Sequence, residues 1–304
     1  MPCLEFSLET TPEAIDWVRT LLAQTDYTSE ISVSAAEDLV SEAWAFTLRF
    51  YVAYDAQANS RVSEIERLLS PLSRTGLTSE LDVCVVEAQP KITTSIHRIG
   101  SRFVVLTPEE NYPAKDPEIV LKLARSFAFG SGLHPATALS LELLEKYVDP
   151  SMQVLDLGSG SGILSIAIAK LGATVLALDN DAIAVAATKT AVEQNHVSDR
   201  VTVTQGSLGQ GSELGHWMSG ESLLDVSAIE PSANFDLIAA NILGRIHLSL
   251  IDEYRRALRP AGILVMAGFT SEYAEELAIA LTQTGFEKID EARSGEWVAL
   301  AYRL

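Results

Sequence analysis

Cysteines and long apolar runs are scarce in this sequence, and each scarcity excludes a class of protein. The chain has 2 cysteines among 304 residues, Cys3 and Cys84, both in strand-like surroundings without the spacing of metal ligands. We interpret them as reduced core thiols and expect no metal site. No apolar run approaches the roughly 18 residues that a membrane-spanning helix needs. Residues 1–5 also lack a basic segment and an apolar signal core. We therefore expect a cytoplasmic protein without membrane contact.

Basic residues are few as well, with 22 Lys and Arg against 41 Asp and Glu and a formal net charge of −19. Such a surface repels the phosphate backbone of nucleic acids and attracts a basic partner. We expect no direct nucleic-acid binding for this reason. Because an excess of acid also serves solubility alone, the charge by itself selects no substrate.

The length and the hydrophobic content of 47% allow a large core and favour two domains. The N-terminal third predicts the order β-α-β-β-α-β of the split βαβ, or ferredoxin-like, arrangement. The predicted elements are a strand over 4–8, a helix from Pro12 to about residue 24, a strand within 31–40, a strand over 46–54, a helix through 62–69 and a strand over 81–86. Because this third holds no catalytic cluster, we interpret residues 1–90 as a substrate-recognition domain. A connector over 91–125, with a short hairpin near 98–103, and a catalytic domain over 126–304 complete the predicted organisation.

The most informative segment lies between residues 154 and 181. It is composed of a buried strand over 154–157, a turn with Gly158, Gly160 and Gly162, an apolar helix over 163–171 and a strand over 174–178 that ends at Asp179. A glycine turn at a helix N-terminus lets a ligand lie against bare backbone. An acid at the tip of the next strand can accept hydrogen bonds from both hydroxyls of a ribose. Together these features predict a nucleoside cofactor site.

The spacing of the glycines favours one cofactor over another. Dinucleotide enzymes use G-x-G-x-x-G to hold a pyrophosphate, whereas this turn reads Asp-x-Gly-x-Gly-x-Gly from Asp156. An anion would lie unfavourably close to that carboxylate, and S-adenosylmethionine, which carries an ammonium and a sulfonium, suits the site better. The alternatives at this stage are a dinucleotide site, or a nonspecific αβ turn in some other doubly wound fold.

The C-terminal half continues the alternation of strands and helices. Its predicted elements are a strand over 235–241, a turn over 259–262, a strand over 263–267, a helix over 271–284 stopped by Gly285, and a closing hairpin of strands at 286–289 and 297–302. Residues 206–234, rich in Gly, Ser and acids, are interpreted as a surface loop. Repeated βα units closed by an antiparallel pair indicate an α/β fold with the doubly wound, Rossmann-like sheet of class I methyltransferases.

A second glycine-containing segment, over 127–137, precedes the cofactor strand and leads into a helix. Its glycines, imidazole and hydroxyl fit a structured loop over the cofactor. The alternative is a plain helix-capping loop, with Thr137 as the cap and His134 as a solvated turn residue. The chemistry of the residues leaves both interpretations open.

In this segment the sequence resembles the ribosomal protein L11 methyltransferase family (PrmA), whose hallmark is Ala-Phe-Gly-Thr-Gly-Thr-His-Pro-Thr-Thr. The resemblance continues through residues 156–164, through Ala-Asn-Ile-Leu at 240–243, and to Gly-Glu-Trp-Val-Ala-Leu-Ala-Tyr at 295–302. It covers roughly residues 96–304, and the N-terminal third only by size and element order. Leu133 and Ala136 depart from the hallmark, since each replaces a Thr, and the segment near 107–110 lacks the family's tryptophans.

The resemblance implies an S-adenosylmethionine-dependent enzyme that methylates lysine ε-amines, and the N-terminal α-amine, of a basic large-subunit ribosomal protein. Thr137, Gly158, Asp179 and Asn241 match the family's cofactor contacts, and Gly160 is expected beside them. Asn241, Phe129 and His134 are the candidate catalytic residues. We expect a monomer, and the sequence does not identify the methylated amines or the number of methyl groups.

Three other functions remain open at this stage. The chain could methylate a different protein or a small molecule, bind the cofactor without catalysis, or belong to the dinucleotide oxidoreductases. No convincing general base is present, because the 5 histidines are scattered and only His134 lies in a candidate site.

Overall fold

The structure is a computed structural model that describes residues 3–22, 25, 31–35, 44, 46–55, 57–87, 96–106, 112–123, 134–209, 228–230 and 232–304. The chain divides into two compact units, residues 1–95 and residues 96–304. Each unit has its own sheets, and each is described below by itself.

The first unit is an antiparallel four-stranded sheet with two helices. Its elements are β1 (Cys3–Thr10), α1 (Pro12–Leu22), β2 (Ile31–Ala35), β3 (Phe46–Ala53), α2 (Ala58–Arg74) and β4 (Asp82–Val86). The strand order β2-β3-β1-β4, with every pair antiparallel, is that of the ferredoxin-like arrangement, which confirms the predicted order of elements.

Strand alternation explains the core of this unit. Leu4, Phe6 and Leu8 occupy every second position of β1, and all three are buried. Phe6 stacks on Phe50 of β3 with ring centroids 4.9 Å apart. The prediction for Cys84 is wrong, because this thiol is exposed on the edge strand β4, whereas Cys3 is buried as expected.

The second unit begins with a small three-stranded sheet. It contains β5 (His97–Ile99), β6 (Phe103–Leu106) and β7 (Ile119–Lys122), in the order β5-β6-β7. The predicted hairpin is confirmed, since β5 pairs antiparallel with β6. Phe103, Val105 and Leu121 lie in the core of this unit. The described residues 96–106 and 112–123, which we expected within a connector, therefore contribute to that core.

A seven-stranded sheet dominates the second unit. Its elements, with the helices and two short strands between them, are α3 (Pro135–Tyr147), β8 (Gln153–Leu157), α4 (Ile163–Lys170), β9 (Thr174–Asp179), α5 (Ala182–Gln194), β10 (Val201–Gln205), β11 (Ser207–Leu208), β12 (Ala228–Ile229), β13 (Phe235–Asn241), α6 (Gly244–Ala257), β14 (Leu258–Thr270), α7 (Ser271–Gln283), β15 (Glu287–Ser294) and β16 (Trp297–Arg303). The order is β10-β9-β8-β13-β14-β16-β15. Within it, β16 is antiparallel to both of its neighbours and the other pairs are parallel. This is the doubly wound α/β sheet that the sequence predicts.

Helices cover both faces of this sheet, which explains why its central strands are apolar along their whole length. Leu237 and Ala239 of β13 face one core with α3, α4 and α5, whereas Ile238 and Ala240 face the other core with α6 and α7. Asp156 interrupts this pattern in β8, where it is fully buried. In the described part of the chain, no helix combines the length and apolar character needed to cross a membrane.

One predicted turn lies inside a strand. Residues 259–262 belong to β14, because Leu258 already pairs with Phe235 before the register shifts to Leu237 opposite Ile263. Ala261 takes a positive φ of 63° at this irregularity. The predicted change of direction is therefore an irregularity inside β14, and it does not separate two elements.

The predicted surface loop over 206–234 is described only in part. Residues 210–227 and 231 lie outside the described residues, and within the remainder β11 pairs parallel with β12.

Candidate cofactor and active site

The candidate site lies where the strand order reverses, between β8 and β13. On one side of this point the chain proceeds outward through β9 and β10, and on the other through β14. Open α/β sheets bind ligands at the carboxyl ends of the strands beside such a switch point. The predicted site residues lie at such ends: Gly158 directly follows β8, Asp179 ends β9 and Asn241 ends β13.

The glycine turn after β8 adopts a backbone that other residues disfavour. Gly158, Gly160 and Gly162 have positive φ angles of 77°, 53° and 83°. The amides of Gly158 and Ser159 donate to the carbonyl of Leu178 at the end of β9, at 2.8 and 3.0 Å. A Cβ on Gly158 would lie only 2.5 Å from Cγ2 of Ile242. The turn therefore needs glycine both for its backbone angle and for the close approach of Ile242.

Asp179 is hydrogen-bonded to this turn. Its carboxylate accepts from the amide of Gly160 at 2.9 Å and from the amide of Asp181 at 3.0 Å. Behind the turn, the hydroxyls of Ser159 and Thr188 are 2.9 Å apart. Asp179 thus fixes the conformation of the glycine turn. This role is additional to the contact with ribose hydroxyls that its place at the end of β9 predicts.

Asp156 lies beneath the turn in an unusual environment. One carboxylate oxygen accepts from the hydroxyl of Ser165 at 2.5 Å, and the other is buried without a hydrogen-bond partner among the described residues. Burial raises the pKa of Asp156 to about 7, the negative charge of Asp179 adds to the increase, and the hydrogen bond from Ser165 opposes it. A buried carboxylate of this kind favours a cation nearby and disfavours a pyrophosphate, so the residues present fit S-adenosylmethionine.

Thr137 and Asn241 lie far apart in the sequence and meet at the site. The side-chain amide of Asn241, at the end of β13, donates to the hydroxyl of Thr137 at 3.2 Å. Thr137 is buried in the first turn of α3, and its backbone amide donates to the carbonyl of His134 at 2.9 Å. The start of α3 is thereby bonded to the carboxyl end of the central strand.

His134, and not Thr137, is the N-cap of α3. Its Nδ1 accepts from the amide of Ala136 at 3.2 Å, so one ring nitrogen performs a structural task. The His134 ring also meets the ring of Trp297 edge to face, with centroids 4.4 Å apart. Because Trp297 pairs with Thr270 at the end of β14, this aromatic pair lies at the same edge of the sheet.

Three more of the residues named in the sequence analysis lie in the first turn of α3 or precede it in the sequence. Ala136, one of the departures from the family's hallmark, is 1% exposed and belongs to the core. Its missing hydroxyl therefore affects packing and leaves no gap in a ligand-facing surface. Phe129 and Leu133 lie outside the described residues, which include no part of 124–133.

One residue beside the site escaped the sequence analysis. His247 of α6 is fully buried, with Nδ1 at 3.1 Å from the hydroxyl of Tyr254 and Nε2 at 2.9 Å from the carbonyl of Ala267. Burial lowers the pKa of His247 to about 4, so the ring is neutral at physiological pH. A signal was present, because residues 244, 247, 250, 251 and 254 form the buried stripe of α6. A histidine in an apolar stripe needs polar partners inside the protein.

No group of three or more His, Cys, Asp or Glu side chains is arranged to hold a metal ion within the part of the chain that the structure describes. The groups that meet at the carboxyl ends of β8, β9 and β13 are the backbone of the glycine turn, the carboxylates of Asp156 and Asp179, and the side-chain amide of Asn241. Such a set suits the binding and orientation of a charged nucleoside.

Comparison with known proteins identifies similar chains. The family model for ribosomal protein L11 methyltransferase (PrmA) matches residues 93–304. The ribosomal protein L11 methyltransferase of Chloroflexus aurantiacus is 38% identical, over 99% of this chain and 97% of its own. That of Herpetosiphon aurantiacus is 35% identical, over 100% and 99%. A crystal structure of a ribosomal protein L11 methylase from Lactobacillus delbrueckii subsp. bulgaricus superposes with a TM-score of 0.55 and 28% identity, and covers 68% of this chain and 97% of that one.

Replacing Gly158 by Ala tests the close packing of the turn. The new methyl group meets a stiff β-branched side chain, that of Ile242, in a backbone with positive φ. We expect the free energy of unfolding, measured by urea denaturation, to fall by about 3 kcal/mol. Gly285→Ala is the matched control, because Gly285 has a φ of 94° and nothing within 4 Å of an added Cβ. The control should lose only about 1–2 kcal/mol, and equal losses in both variants would contradict the packing.

Proposed function

Because the chain belongs to the ribosomal protein L11 methyltransferase (PrmA) family, we propose that it methylates amines of ribosomal protein L11. It is an S-adenosylmethionine-dependent protein methyltransferase. The observation that carries the cofactor part is the buried Asp156 beneath the glycine turn, whose environment favours a cationic ligand. The substrate part is supported by similarity over the whole length of the chain, which includes the first unit.

The cofactor would lie at the carboxyl ends of β8, β9 and β13. Gly158 and Gly160 would present bare backbone to its methionine part, and the space that a Gly158 side chain would take is already filled by Ile242. Asp179 would accept hydrogen bonds from the ribose hydroxyls in addition to those from the turn. Thr137 and Asn241 would complete the site, with their mutual hydrogen bond fixing the direction of the amide.

The bound cofactor supplies an electrophilic methyl group, and the acceptor must be an amine with a free lone pair. A lysine with a pKa of about 10.4 is only ~0.1% neutral at pH 7.5, whereas an α-amine with a pKa near 7.8 is about one-third neutral. Both lysine ε-amines and the N-terminal α-amine are therefore proposed acceptors, and the ε-amine has to be desolvated to lower its pKa.

The protein then contributes by orienting the amine toward the methyl group and by excluding water, more than by supplying a strong general base. The side-chain carbonyl of Asn241 is suited to accept a hydrogen bond from the incoming amine. The ring pair of His134 and Trp297 offers an apolar wall at the same edge. Phe129 is a proposed second wall on the strength of the family resemblance.

We propose that the net charge of −19 serves recognition of a basic ribosomal protein. The ferredoxin-like unit, which holds no catalytic cluster in the sequence, is the proposed recognition module. The proposal also includes a cytoplasmic, monomeric enzyme that does not bind nucleic acid directly, because the acidic surface repels phosphate.

The substrate is tested by transfer of labelled methyl groups from S-adenosylmethionine to ribosomal proteins of cells without this activity. We expect the label in ribosomal protein L11, on lysine and N-terminal amines located by mass spectrometry. An Asn241→Ala variant is the control, and it should transfer at least tenfold less label. Cofactor binding without label in L11, or label in another protein alone, would contradict the proposed substrate.

Asp179→Ala tests the proposed ribose contact. Removal of the carboxylate should weaken the binding of S-adenosylmethionine by about 1.5–3 kcal/mol, or roughly 10–150-fold in Kd. The measurement is titration calorimetry. Asp181→Ala is a matched control, since this acid caps α5 through the amide of Ile183. Its Kd should stay within about twofold, although the cap contributes about 1 kcal/mol to stability. An unchanged Kd for Asp179→Ala would disprove the contact.

A further inference from the structure

The carbonyl of Ala267 in β14 joins three elements at the edge of the candidate site. It accepts from the amide of Ile242, directly after β13, at 3.0 Å. It is also 2.9 Å from Nε2 of His247 in α6. A carbonyl oxygen has two lone pairs, and both are used here. The residue after β13 and the first turn of α6 are therefore hydrogen-bonded to the same atom of β14.

The partners of His247 determine its tautomer. A backbone carbonyl can only accept, so the Nε2 atom facing Ala267 carries the proton. In the neutral ring Nδ1 is then an acceptor, and the hydroxyl of Tyr254 donates to it over 3.1 Å. Both residues are fully buried. The ring is packed as well, since Phe269 meets it edge to face with centroids 5.3 Å apart.

Ile242 is held from several directions at once. Its side chain lies against Gly158 of the glycine turn, where a Cβ would come within 2.5 Å. Its carbonyl lies so close to Gly268 that a Cβ there would come within 2.3 Å. Its amide is bonded to Ala267. The residue before it is Asn241, whose side chain reaches Thr137. A shift of Ile242 would thus move both the amide of Asn241 and one wall of the turn.

We propose that His247 is a positioning residue, whose Nε2–H donor fixes the Ala267 carbonyl and thereby the backbone of Ile242 and the direction of Asn241. This role rests on the proposed function for its catalytic consequence, but its effect on cofactor binding can be measured separately. A histidine that only fills space would need neither the donor at Nε2 nor the acceptor at Nδ1, and an apolar side chain would then avoid the cost of burying an imidazole.

Two substitutions separate the two nitrogens of the ring. In His247→Gln the side-chain amide nitrogen takes the place of Nε2 and can donate to Ala267. In His247→Asn the shorter side chain can still accept from Tyr254, at the place of Nδ1, but does not reach Ala267. Leu281→Ala serves as a control for stability, because Leu281 is fully buried in the last turns of α7. It lies about 15 Å along the helix from the edge that holds the site.

The variants are compared by urea denaturation, by calorimetric Kd for S-adenosylmethionine, and by kcat and KM for methylation of L11. We expect His247→Asn to weaken cofactor binding by roughly tenfold and to lower kcat by roughly 10–100-fold, because small displacements of orienting groups are costly. His247→Gln should regain most of both losses. Leu281→Ala should reduce stability with Kd and kcat close to the wild-type values.

Equal Kd values for the Asn and Gln variants, or losses that follow stability as in Leu281→Ala, would overturn the positioning role. The test of the His247 proposal can be separated from the test of the proposed function. If the wild-type protein binds S-adenosylmethionine but does not methylate L11, the substrate proposal fails. The Kd values of the two His247 variants then still decide whether His247 is a positioning residue.

Discussion

The rest of the site depends on a carboxylate buried inside the central sheet. Asp156, two residues before Gly158 of the glycine turn, is fully buried and has one carboxylate oxygen without a partner among the described residues. Burial destabilises the ionised form of this acid when no cation is nearby, and this raises the pKa of Asp156 to about 7. A cationic ligand stabilises the ionised form. The same carboxylate that makes the turn unsuitable for a pyrophosphate therefore makes it suitable for S-adenosylmethionine.

Around this carboxylate, the site is assembled from strand ends that share partners. Leu178 of β9 accepts both amides at the start of the turn, and Asp179 accepts a third from Gly160. Ile242, after β13, packs on Gly158 and is bonded to Ala267 of β14. Each strand end thus constrains its neighbour. Such mutual support gives a preorganised site, in which orienting groups lose little freedom when the substrate binds.

The sequence predicted features that depend on local pattern and missed those that depend on tertiary contacts. The strand that ends at Asn241 was predicted from a continuous apolar run, which is the pattern of a strand buried on both faces. Strand β1 was predicted from alternating apolar residues, which is the pattern of a strand buried on one face. No local pattern reveals that Ala136 faces the core, that His134 caps α3, or that residues 259–262 lie within β14. The apolar stripe of α6 signals that His247 is buried, but the partner of its ring, the carbonyl of Ala267, is distant in sequence and follows from no local pattern.

The most direct test of this account measures S-adenosylmethionine binding as a function of pH. If the ligand's ammonium favours ionised Asp156, the pKa of Asp156 falls on binding, and protonated Asp156 must release its proton. Between pH 5.5 and 6.5 the affinity should rise roughly eightfold, and proton release should decrease from close to one proton per ligand at pH 5.5 to about half a proton at pH 7. Ser165→Ala, which removes the opposing hydrogen bond, should shift the midpoint to higher pH, and Asp156→Asn should abolish the dependence. A Kd independent of pH in the wild-type protein, or the same slope in Asp156→Asn, would contradict the account.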